Sequence, residues 1–145
     1  MTGGAALIDS DTLSELSRGH PRVTARARAY VQALGRLTIS AVTVFERLRG
    51  YRSAIRQGKP FEVQLRQFQM LAAACIVMPV DTRVADAAST IWASVGARIR
   101  SKTGDILIAA TASCHGLPLV TRNRTDFEPM VHIEGIELTL LDWTT

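Results

Sequence analysis

Short apolar runs alternate along this chain with stretches patterned for helices, and that alternation constrains the fold more than any other feature. The runs are residues 5–9, 37–40, 75–80 and 117–121, with a weaker alternating run at 136–141. Each of the first four is too short for a helix and is bounded by turn or cap residues. Strands of this kind separated by helices require parallel βαβ units. Right-handed crossovers then place helices on both faces of the sheet. The expected fold class is therefore α/β, built on a parallel sheet.

The intervening stretches carry their own signals. Thr12 with Glu15 reads as a capping box that opens a short helix ending near Gly19. Pro21 suits the first turn of a second helix, with Gly35 as its stop. Arg22, Arg26 and Arg28 ride on that helix as an exposed basic face. A third helix begins directly after Ser40 and ends before Gly58 and Pro60. Phe61, Leu65, Phe68 and Leu71 give the next an apolar stripe. Asp81 is placed to cap a helix whose stripe runs through Val84, Ala88, Ile91, Val95 and Ile99. Residues 101–104 read as a polar turn, residues 105–112 as a nearly all-apolar helix closed by Gly116, and residues 122–126 as a polar loop.

In open α/β sheets the ligand site lies beyond the carboxyl ends of the strands. Asp9 ends the first strand, Glu46 follows the second by a turn or two, and Asp126 follows the fourth. Asp105 differs, opening a helix instead of ending a strand. Crowding carboxylates is costly: two unit charges ~4 Å apart repel by about 4 kcal/mol at an effective dielectric near 20. A fold that gathers several of them usually holds a divalent metal. Each acid also has a second reading. Asp105 can cap its helix, Asp126 can cap a turn before Phe127, and Glu46 can pair with Arg47 and Arg49. Asp11, two residues beyond Asp9, reads as a support or a cap.

At 145 residues, 47% of them apolar and 21% charged, the chain has the length and composition of one soluble domain spanning 1–145. The longest near-continuous apolar run, residues 70–80, is too short to cross a membrane and is broken by Pro79. The N-terminus shows no basic leader and reaches Asp9 too early for a signal peptide. Cys75 and Cys114 lack metal-type spacing and read as reduced thiols, so a cytoplasmic location is expected. Seventeen basic residues stand against thirteen acidic ones, for a net charge of +4, and fifteen of the seventeen are Arg. With four acids folded into one site, the remaining surface suits a phosphate backbone or an acidic partner.

Four segments together resemble the PIN-domain endoribonucleases of the VapC toxin type: residues 7–16, 39–50, 104–112 and 115–127. They cover nearly the whole chain in the family's order. The resemblance implies a three-layer α/β/α sandwich with a five-stranded parallel sheet of order 3-2-1-4-5. It implies that Asp9, Glu46, Asp105 and Asp126 form an acidic pocket holding Mg²⁺ or Mn²⁺ that hydrolyses RNA phosphodiester bonds. It further implies neutralisation by a cognate VapB-type antitoxin, homodimerisation and a higher toxin–antitoxin assembly. Thr121 and Asn123 match polar positions that line the pocket in the family, and Ser10 stands where Thr is more usual; with Asp11 and Arg122 these are candidates for supporting the pocket or touching RNA. Arg47 follows Glu46 where the family more often has an apolar residue. Arg22, Arg26, Arg122 and Arg124 are candidates for holding the RNA backbone. Two rival readings share these residues. One is a catalytically weak RNA- or partner-binding module on the same fold. The other is an aspartate-nucleophile phosphatase using Asp9 and Asp11, for which the later acid pair is missing.

Overall fold

The computed structural model describes residues 4–145. Five parallel strands form one sheet: β1 (Leu7–Ile8), β2 (Thr38–Ser40), β3 (Ile76–Met78), β4 (Leu119–Val120) and β5 (Leu140–Leu141). Their order is β3-β2-β1-β4-β5, as expected. Leu7 pairs with Thr38 on one side and with Leu119 on the other. The chain thus builds outward from β1 to β3, then returns to lay β4 against the free side of β1. That reversal opens a crevice at the carboxyl ends of β1 and β4.

Helices cover both faces. On one side α1 (Ser10–Ser17), α2 (Pro21–Leu34) and α4 (Glu62–Ala74) bury Leu13, Val23, Tyr30 and Phe68 with Ile8, Ile39 and Val120 of the sheet. On the other, α5 (Thr82–Ser94), α6 (Ala97–Arg100), α7 (Thr103–Cys114) and α8 (Arg124–Phe127) bury Val84, Ile91, Ile108 and Phe127 with Leu7 and Leu119. Successive strand residues feed opposite cores because side chains alternate across a strand. The remaining helix, α3 (Ala41–Arg56), spans the two layers: Val42 packs into one core, Val44, Leu48 and Tyr51 against the other. Among the described residues no helix is long and apolar enough to cross a membrane. Both cysteines are free; Cys75 is buried and Cys114 half-buried.

Several local expectations hold. Pro21 opens α2, Gly35 ends it at φ 91°, and the Asp81 side chain accepts from Val84 N at 3.0 Å. Others are corrected. The capping box at Thr12 does not form, because Asp9 itself caps a helix that starts at Ser10, leaving Thr12 inside it and buried. The stripe from Val84 to Ile99 is divided between two helices, since Val95 and Gly96 are extended. The polar turn shrinks to residues 101–102, because α7 begins at Thr103, so Asp105 lies within its first turn instead of opening it. Part of the expected 122–126 loop is helical, as α8.

Candidate acidic site

Asp9 stands where β1 gives way to α1, and only 6% of it is exposed. Its Oδ1 accepts from Ser10 N and its Oδ2 from the Thr121 hydroxyl, both at 2.8 Å. Thr121 is fully buried immediately after β4. Its hydroxyl also lies 3.3 Å from Asp11 Oδ2 and accepts from Asn123 N at 3.0 Å. Arg122 N adds a bond to Asp11 Oδ2 at 3.0 Å. One threonine therefore ties together the exits of the two strands that flank the crevice. Ser10 contributes its backbone N–H to Asp9.

Burial, with the nearby Asp11 carboxylate adding to it, pushes Asp9 up from 3.8 to about 7. Asp105, in the first turn of α7, is raised from 3.8 to about 6 by burial and then by the negative charges of Asp126 and Glu46. Asp9 also feels Asp105. These couplings place the acids of four separate segments within one electrostatic neighbourhood. Glu46, on the second turn of α3, lies over the backbone of Gly104: a β-carbon on that glycine would collide with Glu46 Oε2. Glu46 and Asp105 line a cleft of about 610 Å³ with Phe45, Arg49, Val80, Lys102 and Gly104.

Asp126 is held differently. Its carboxylate meets Arg98 at 2.5 Å, Lys102 at 3.3 Å and the Asn123 amide at 2.9 Å. The Asn123 bond, reinforced by those two cations, holds its pKa below the usual carboxylate range. Arg98 and Lys102 were not anticipated. Their only sequence mark is a four-residue spacing just ahead of Gly104 and Asp105. Of the arginines expected to face RNA, Arg122 pairs with Glu15, Arg124 with Glu128 and Arg26 with the Thr145 carbonyl, and Arg22 is exposed on α2.

Among the described residues, no group of three or more His, Cys, Asp or Glu side chains is drawn tightly enough to hold a metal ion as it stands. The donor chemistry nevertheless suits a hard divalent cation, since every candidate ligand is a carboxylate oxygen. The raised acids are the second sign of fit: they carry an unfavourable charge that a cation would relieve.

The profile of the PIN domain family matches residues 6–129, so the chain belongs to the PIN-domain family. Among solved structures, a chain of the DNA-bound VapBC complex from Salmonella typhimurium is similar at 24% identity and TM-score 0.72, covering 96% of this chain and 98% of that one. VapBC-1 from nontypeable Haemophilus influenzae gives 19% identity and TM-score 0.71, with 98% and 100% covered. VapBC-5 from Mycobacterium tuberculosis, a member of a toxin–antitoxin family, gives 18% identity and TM-score 0.55, with 97% and 99% covered. At these identities the likeness is one of fold. No curated protein sequence matches the chain.

Proposed function

We propose that this chain is a single PIN domain over residues 1–145 acting as a metal-dependent endoribonuclease, the toxin of a type II toxin–antitoxin pair. The observations that support the reading are geometric: Asp9 is buried at the exit of β1 and bonded to Thr121 at the exit of β4, Glu46 and Asp105 share one cleft, and Asp126 pairs with Lys102, which lines that cleft. PIN-family membership and a fold shared with VapBC proteins support it.

Asp9 and Asp105 would hold a Mg²⁺ or Mn²⁺ ion most directly, with Glu46 and Asp126 completing the shell in part through water. When bound, the cation supplies Lewis acidity, activating the attacking water and offsetting charge that builds on the phosphate oxygens. The chain's own contribution is orientation. Ser10 N–H and the Thr121 hydroxyl fix both oxygens of Asp9, and the glycine at 104 leaves room for Glu46 over the start of α7. Asp11 and Asn123 hold Thr121 in place, and Arg122 fixes Asp11 through its backbone. The partner is a cognate VapB-type antitoxin, with homodimers and larger toxin–antitoxin assemblies following from the same kinship.

Cleavage of total cellular RNA by wild-type and Asp9→Asn protein, each with Mg²⁺, Mn²⁺ or EDTA, tests the reading. Discrete fragments that require both metal and Asp9 are expected. Equal cutting by Asp9→Asn, or no strand break by folded wild-type protein under any condition, would overturn it.

A further inference from the structure

Five carboxylates around one crevice repel the polyanion that a ribonuclease must admit, so the site needs cations of its own at the point of entry. Arg98 and Lys102 are the two cations that touch it through Asp126. Lys102 occupies a junction: its ammonium pairs with Asp126, and the residue also lines the cleft that contains Glu46 and Asp105. Arg98 is anchored twice, by Asp126 through one terminal nitrogen and by the Thr125 carbonyl through the other at 3.2 Å.

Neither head is consumed by these contacts. The Arg98 side chain is 55% exposed and that of Lys102 39% exposed. A guanidinium has five N–H donors and an ammonium three, so most remain available to a ligand. Two anchors on Arg98 also reduce the freedom it would lose on meeting a phosphate, which a planar fork recognises through paired hydrogen bonds.

We propose that Arg98 and Lys102 form a phosphate-docking subsite that positions the RNA strand at the rim of the acidic site. They act as positioning residues. The inference rests on the ribonuclease reading and adds to it where the strand enters.

The test is the binding of a fluorescein-labelled single-stranded RNA oligonucleotide, followed by anisotropy in EDTA across a salt series. Wild-type protein is compared with Arg98→Gln, Lys102→Gln and, as a control on the outer face of α2, Arg28→Gln. Each site variant is expected to weaken binding and to lower the slope of log affinity against log salt by about 0.7, the loss of one single-strand phosphate contact. Arg28→Gln should leave the slope unchanged. In cleavage assays the two variants should raise KM more than they lower kcat. The two single variants report independently, so a folding failure in one leaves the other as the test. Unchanged slopes in folded variants, with wild-type protein still binding and cutting, would overturn the subsite alone. Wild-type protein that neither binds nor cuts would overturn the ribonuclease reading and the subsite with it.

Discussion

The hydroxyl of Thr121 donates to Asp9 Oδ2 at 2.8 Å, joining residues 112 apart in sequence at the buried exits of β4 and β1. The bond is local in space and remote along the chain, and it fixes the orientation of a carboxylate that burial has made reluctant to ionise.

Removing that hydroxyl while keeping the shape should expose its worth. Thr121→Val leaves an Asp9 oxygen unsatisfied inside the protein, which costs about 1–3 kcal/mol. The bond favours the ionised carboxylate, so the loss should be larger at pH 8 than at pH 5. Urea denaturation at the two pH values measures it, and Thr121→Ser should restore most of the difference.

The raised acids set a pH dependence for the metal-free fold. Asp9 binds its proton more tightly folded, at about 7, than unfolded, near 3.8. The folded state therefore holds more protons in that window, and stability falls as pH rises through it. For Asp9 the full shift corresponds to a loss on the order of 4 kcal/mol. Asp105, at about 6, acts in the same direction. Thermal unfolding in EDTA should give a higher Tm at pH 5 than at pH 8, and Asp9→Asn should flatten the trend and raise Tm at pH 8.

Divalent metal should reverse this. A cation that binds only the folded protein stabilises it by mass action, and it competes with protons for the same oxygens. Millimolar Mg²⁺ or Mn²⁺ should raise Tm more at pH 8 than at pH 5.5, and EDTA should abolish the gain. Equal shifts at both pH values would argue for binding away from the raised acids.

Gly104→Ala separates site geometry from folding. Alanine favours a helix over glycine by up to about 1 kcal/mol, so Tm should hold or rise slightly. The new β-carbon would displace the end of Glu46, and misplacement of a site group by about 1 Å can cost a hundredfold in rate. Cleavage should fall steeply in a protein whose melting curve is intact.

The parallel sheet was legible because each strand is an apolar run set between cap and turn signals, whereas its strand order was implied only by the family resemblance. Helix ends were less legible. Val95 and Ile99 continue the stripe of α5, so periodicity alone hid the extended break at Val95 and Gly96. Thr12 and Glu15 fit a capping box, yet the helix had already begun at Ser10 under Asp9. The clamp on Asp126 was invisible for another reason: Arg98 lies 28 residues from its partner, and no local pattern reports a contact of that span.

The return of the chain from β3 to β4 has a consequence for folding order. Pairing Leu7 with Leu119 closes nearly the whole polypeptide into a loop, and contacts of such long range are entropically slow to form. Asp9 and Thr121 meet only when that loop shuts. A chain in which that loop is still open keeps the local Asp9–Ser10 and Asp126–Asn123 contacts but lacks the tie between Asp9 and Thr121, so the crevice is complete only once the topology is.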